Sequence, residues 1–323
     1  MLAERTIIFD PIPHTYKDTV GNPYTSATQV IGSYEKVFNH RYWCMYTALK
    51  ESNYQLRPDD SELYIYVNRM KIHIDDLYAG KVYLKVSIES INQLWIEKNQ
   101  IACERGNKIH DFIENNIKLI TGKGIADTKF NDFVFSNKVI FKAKKAYRTL
   151  NDIDNALLTK YPLIYREVQS YLLTGFIIYA ELKIYHPDYL IAGTIDLVAI
   201  NDKNEFVILD WKTNKKHLYF KAGYYKKVGG VETDEWIDKN ETFKFPLNKV
   251  PFCKGEIYTL QLSLYSHILE CWGFKMIRLG IYHMREDDVE KHIKIKYRKK
   301  EVQLMMEHHY NTIAKPKRKL ISL

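Results

Sequence analysis

Paired cysteines are what this sequence most plainly lacks. Its four, Cys44, Cys103, Cys253 and Cys271, stand singly with no CxxC pair, which argues against a disulfide framework and against a zinc ribbon. No apolar run approaches the roughly 18 residues of a membrane span, so no membrane association is expected. The opening MLAERTIIFD has neither the apolar core of a signal peptide nor the Arg-rich, acid-poor character of a mitochondrial leader, and the expected setting is cytoplasmic. There is no GxxxxGK[ST] loop, since glycine precedes lysine only in GKV and TGKG. An ATP-driven motor is not expected. No internal repeat or long low-complexity segment is present either.

What the sequence has is positive charge and tyrosine. Lysine and arginine total 48 against 39 acids, a formal net charge of +9, and such an excess favours polyanions, nucleic acid first. The 25 tyrosines offer surfaces on which bases could stack, although most tyrosines simply pack with the hydroxyl at an edge. Solubility alone could also account for the charge, so composition does not decide function.

Periodicity divides the chain. Residues 5 to 26 suggest short strands around turns: IIFD, PIPHTY, a GNP turn, then YTSA. From about 26 to 171 the pattern is largely helical. Ile88, Ile91, Trp95 and Ala102 fall at helical spacing, as do Ile109, Ile113, Ile117 and Ile120, with TGKG as a stop. A basic amphipathic helix is expected over 135 to 158. The period then changes to two, predicting strands at YREVQSYL, FIIYAELKIY, YLIAGTIDLVAI and EFVILDW, the last three joined as hairpins by HPD and NDKN. A helix over IYTLQLSLYSHILECW, a last strand KMIRLGIYHM and a basic ending KPKRKLISL complete the chain. The expected class is α/β with a mixed sheet. The expected divisions are an N-terminal, mainly helical subdomain (1–170), a core (171–300) and a basic tail (301–323).

The chemistry concentrates in GTIDLVAINDKNEFVILDWKT. If the turn centres near Lys203, an antiparallel register sets Asp196 opposite Asp210, with Cβ atoms about 5 Å apart. Lys212, two residues beyond, projects from the same face, while Trp211 and Thr213 face the other side, with Trp211 in the core. Two carboxylates this close repel unless a cation lies between them. Hard oxygen ligands suit Mg²⁺ or Mn²⁺, and an ammonium beside them can stabilise charge developing on a phosphate. A bland reading makes the acids strand-end caps beside an ordinary salt bridge. Glu181, one strand earlier in YAELKIY, is expected near Gly193 if the HPD hairpin is tight, close enough to add a carboxylate. Gly193 itself allows close backbone approach or marks a strand irregularity. His110 and Glu114 share a helical face, as do Gln261 and Tyr265.

GTID followed by ILDWKT resembles the core of the PD-(D/E)XK nuclease superfamily, and more narrowly its RecB-like exonuclease branch. That branch also carries a Gly-x-x-x-His helix upstream and a Gln-x-x-x-Tyr helix downstream. Here RGNKIHDFIE supplies Gly106 and His110, and QLSLY supplies Gln261 and Tyr265. The ordered set spans Gly106 to Tyr265, about half the chain; Asn107 replaces the usual small hydroxyl residue. The resemblance implies a restriction-endonuclease-like core. It implies catalysis by Asp196, Asp210, Lys212 and His110, with His110 a metal ligand or organiser of the site; Asp196, Asp210 and, from its place one strand earlier, Glu181 are the expected carboxylate ligands. It also implies that Gln261 and Tyr265 line the site, contacting DNA or orienting catalytic groups; Glu114 stays unassigned. Some of these nucleases bind an iron–sulfur cluster through three clustered downstream cysteines, but only Cys271 follows here, so no cluster is expected. FDPIPHTY…YTSATQVI and KFPLNKVPFCKGEIYTLQLSLYSHILE are similar to stand-alone members, phage nucleases and the mitochondrial genome-maintenance type among them; a phage protein would work in the host cytoplasm. The implied function is a Mg²⁺-dependent DNA exonuclease. The alternatives are a structure-specific endonuclease and a non-catalytic DNA-binding subunit. If His110 reaches the metal, the helical first half would roof the site, making a channel lined by basic helices such as KAKKAYR that admits a single strand with a free end.

Overall fold

The computed structural model describes residues 7–10, 15–18, 21–117, 145–147, 155–229, 231–285 and 290–315. In chain order come β1 (Ile7–Asp10), β2 (Thr15–Asp18), β3 (Pro23–Ser26), α1 (Ala27–Gly32), α2 (His40–Glu51), β4 (Leu56–Pro58), β5 (Tyr64–Val67), β6 (Met70–His73), α3 (Ile74–Tyr78) and α4 (Ile88–Asn116). They are followed by β7 (Lys145–Tyr147), α5 (Asn155–Lys160), α6 (Pro162–Leu173), β8 (Ile177–His186), β9 (Ile191–Ile200) and β10 (Glu205–Lys212). The chain continues through β11 (Gly223–Val228), β12 (Val231–Asp238), α7 (Lys254–Cys271), β13 (Lys275–Met284), β14 (Glu290–Ile295) and α8 (Lys299–His309). The class is α/β, with a large mixed sheet and helices. No helix among the described residues is long and apolar enough to cross a membrane.

The chain forms two compact units, Val37–Asn107 on the one hand and Met1–Lys36 with Lys108–Leu323 on the other. Periodicity suggested a division near residue 170. Strands β1 to β3 instead belong to the larger unit, because β3 pairs in parallel with β9, Thr25 opposite Ile191 and Ser26 opposite Ala192.

In the larger unit, β11 and β12 pair as a separate two-stranded sheet, and the other described strands form one sheet along β1-β2-β3-β9-β10-β13-β14, with β8 on the other flank of β9 and β7 beyond it. β8 and β10 run antiparallel to β9, and β13 runs parallel to β10. One face of the sheet carries Val198, Phe206, Ile208, Leu279 and Ile281 against α1, α7 and α8. The other carries Leu197, Ala199, Leu209, Trp211 and Tyr282 against α5, α6 and the end of α4, through Ile109, Ile113 and Ile117. β9 lies between the layers and pairs with β8 along its length. Its opposite flank meets β3 only at residues 191–192 and β10 only at 197–200. The stretch between, Gly193 to Asp196, is where two ladders part.

The smaller unit is less helical than its pattern suggests. Strands β4 to β6 form an antiparallel three-stranded sheet, with Ile65 and Val67 packed on α2 and α3. These strands are so short that neighbouring helical periods mask their alternation.

Four further expectations need correction. YREVQSYL is not a strand: it lies in α6, with Pro162 in the first turn and Ile164, Val168 and Leu172 buried every fourth residue. A carboxylate from β14 helps to start this helix, as Glu290 accepts the N–H groups of Leu163 and Ile164 at 2.8 and 2.7 Å. The basic helix expected over 135 to 158 is not continuous, because Lys145–Tyr147 is strand β7 on the outer edge of β8; Asn155–Lys160 is helical, and residues 135–144 and 148–154 lie outside the described residues. KAKKAYR is therefore not a helix where it is described. KMIRLGIYHM is not the last element, since β14 pairs with it and α8 follows. Charge hid α8, whose Val302, Met305, Met306 and His309 make a buried stripe at helical spacing. TGKG and residues 316–323 of the basic ending lie outside the described residues.

Candidate active site

The β9–β10 register is the one expected. Phe206 faces Ile200 and Leu209 faces Leu197, which centres the turn on residue 203. The ladder ends one step short of the two acids. There the backbone N–H of Trp211 donates to Asp196 Oδ2 at 2.8 Å, so the carboxylate takes over where strand pairing stops. Trp211 is buried on the far face against Tyr282, ring centroids 5.8 Å apart.

Asp210 and Lys212 form an ion pair of 2.6 Å, their side chains only 3% and 15% exposed. Burial pushes the Asp210 carboxyl up to about 6; the Lys212 charge pulls against this and the Asp196 charge adds to it. Burial works against the Lys212 ammonium, yet the Asp210 and Asp196 carboxylates outweigh it and hold its pKa above the ordinary lysine value. The ion pair thus sits buried beside a second carboxylate, Asp196.

His110 enters from α4, on the other helical layer, and its Nδ1 stands 3.6 Å from Asp196 Oδ2. Glu181 completes the group. It was expected beside Gly193, but Ile184 occupies that position, and Glu181 stands level with Asp196 between the Ala180–Leu197 and Leu182–Ile195 pairs. The reason is local: Glu181 has φ 52°, in the left-handed region, which breaks the alternation of β8. A non-glycine residue there costs on the order of 1–2 kcal/mol, and such strain gathers at functional sites. One ligand atom each from His110, Glu181 and Asp196 lies within 4.8 Å of the others. An octahedral ion with 2.0–2.1 Å bonds spaces its ligand atoms by about 3 to 4 Å. Two carboxylates and an imidazole in that space, beside the buried Asp210 carboxylate, fit Mg²⁺ or Mn²⁺. Glu114 is one turn beyond His110 and buried, and it is not in this group.

Helix α7 braces the arrangement. Gln261 Nε2 donates to the Tyr265 hydroxyl oxygen at 3.1 Å, and both residues are buried. Burial is the main cause of a strongly raised Tyr265 pKa; its hydrogen bond with Gln261 opposes the rise, and the charges of Asp210 and Asp196 add to it. Gly193 explains itself here: a Cβ would sit 2.5 Å from Tyr265 Cε1, so the ring needs a bare backbone.

Sequence reasoning missed three supports. Tyr258, one turn before Gln261 on the same stripe, holds its ring 4.6 Å from Lys212 Nζ and donates its hydroxyl to Asn214 Oδ1 at 2.9 Å. His283, paired with Lys212 across β10 and β13, donates from Nε2 to the Asn214 carbonyl at 2.8 Å. Tyr16 meets Thr194 at 3.1 Å; burial raises its pKa, the Thr194 bond lowers it and the nearby Glu181 charge raises it. The spacing of 258, 261 and 265 was the available signal for Tyr258. Nothing in the sequence marks the other two.

No protein-family model and no curated protein matches this chain.

Proposed function

We propose that this chain is a metal-dependent deoxyribonuclease with a PD-(D/E)XK core of the RecB-like branch, an exonuclease acting on single-stranded DNA or DNA ends in replication, recombination or repair. The observation that carries the reading is the meeting of His110, Glu181 and Asp196 within 4.8 Å, beside a buried Asp210–Lys212 pair. His110, Glu181, Asp196 and Asp210 would hold Mg²⁺ or Mn²⁺, and the ion would supply the charge that polarises a phosphodiester. Lys212, aimed by Asp210 and by the Tyr258 ring, would stabilise the charge that develops on the phosphate during cleavage. Trp211 N–H fixes Asp196, and the strained Glu181 backbone aims the third ligand.

The test is digestion of labelled linear, covalently closed, single- and double-stranded DNA with and without Mg²⁺. Wild type should degrade linear single strands, and EDTA should silence it. Asp210→Asn should abolish cleavage but keep DNA binding. Lys212→Ala should lose a few kcal/mol of transition-state stabilisation, on the order of 10²-fold in rate or more. Robust cleavage by Asp210→Asn would refute the assignment. Equal rates on linear and closed single strands would make the protein an endonuclease, and binding without turnover a non-catalytic subunit.

A further inference from the structure

The smaller unit carries a second surface suited to nucleic acid, composed wholly of its own residues. In β5 the alternation is complete: Ile65 and Val67 are buried on the helices, which turns Tyr64 and Tyr66 to the opposite face of the sheet. Pairing sets Arg57 of β4 and Lys71 of β6 on either side of Tyr66, and His73 beside Tyr64. The side chains follow that plan. Arg57 Cζ lies 3.9 Å from the Tyr66 ring centroid. Lys71 Nζ lies 4.5 Å from Tyr64 and 5.7 Å from Tyr66, and the His73 ring meets Tyr64 edge-on at 5.0 Å.

We infer that this face, Tyr64 and Tyr66 flanked by Arg57 and Lys71, is a binding platform for single-stranded nucleic acid. Rings two residues apart on a strand stand about 6.7 Å from each other, and each offers a face to a base of an extended chain. Base stacking on aromatic rings tolerates any sequence. The cations now over those rings are placed to move outward onto the adjoining phosphates, so both halves of each cation–π contact gain a partner. Arg57 has no ion pair among the described residues, which leaves its guanidinium open to a phosphate. Lys71 has an acidic neighbour, Asp59, at 3.3 Å. That pair is partly exposed, and such a pair contributes little. An acidic peptide would use the cations but leave the ring faces idle, so the paired tyrosines favour nucleic acid.

The test is independent of catalysis. The full chain is held in EDTA with a fluorescein-labelled deoxythymidine oligomer, and affinity is read by anisotropy across a salt series. Tyr64→Leu/Tyr66→Leu should weaken binding about tenfold or more, whereas Tyr64→Phe/Tyr66→Phe should bind like wild type. Arg57→Ala, which keeps both tyrosine rings, should lower the slope of log K against log salt by about 0.7. Photo-crosslinking with an iododeoxyuridine oligomer should give adducts on the peptide containing Tyr64 and Tyr66. Crosslinks confined to other peptides, unchanged binding by the double leucine variant, or equal competition by polyglutamate would each overturn the inference. A wild type that binds here yet never cleaves would sink the nuclease reading alone.

Discussion

Replacing Gly193 by alanine probes the packing beneath the carboxylates. The added Cβ would stand 2.5 Å from Tyr265 Cε1 and 3.0 Å from Cζ, about 1 Å and about 0.5 Å inside even the lower end of the 3.5–4.0 Å of an ordinary carbon–carbon contact. Tyr265 cannot swing away cheaply, being 3% exposed and bonded to Gln261. Overpacking of this kind costs about 1–3 kcal/mol. Alanine regains about 0.5–1 kcal/mol by restricting the unfolded chain, so a net loss of about 1–2 kcal/mol is expected in urea unfolding. Two second substitutions separate the cause. Tyr265→Phe keeps the ring edge and should leave the penalty intact. Tyr265→Leu removes the ring, so Gly193→Ala on that background should be neutral or stabilising, a coupling of about 1 kcal/mol or more. Additive behaviour in the leucine background, or a harmless Gly193→Ala, would show that Tyr265 does not require the glycine.

Two further substitutions test other parts of the frame. Tyr258→Leu should lower kcat about tenfold with KM little changed, because a partly exposed cation–π contact of about 1–2 kcal/mol is lost. Tyr258→Phe should stay within about threefold of wild type, and equal losses in both would assign the effect to the Asn214 hydrogen bond. Arg298 grips Glu256 through Nε and Nη2 at 2.8 and 2.5 Å, tying the start of α8 to α7. With both side chains mostly buried, Arg298→Ala should cost about 3 kcal/mol in urea unfolding, and a loss under about 0.5 kcal/mol would refute that role.

Strict local periodicity made part of the molecule legible in the sequence. Alternation in GTIDLVAI and EFVILD, with a short polar turn, defines one register, and that register brings Asp196 toward Asp210 and puts Lys212 on the same face. The same logic placed Trp211 in the core, and helical spacing put Gln261 with Tyr265 and His110 with Glu114. Where a segment supports two periods, the sequence misleads. Tyr165 to Leu172 alternates like a strand yet also repeats every four residues, and burial of Ile164, Val168 and Leu172, with the Glu290 cap, selects the helix. Lys299 to His309 looked like solvated charge because its apolar stripe has meaning only against α7 and the sheet. The approach of His110 to Asp196 depends on segments far apart in the chain. So does the Tyr258 ring over Lys212, where the contact is made by two layers packing together. The sequence by itself determined which acids share a strand face. Only the tertiary structure decided what closes around them, because the burial of Asp210 and the approach of His110 arise from neighbours that no local pattern encodes.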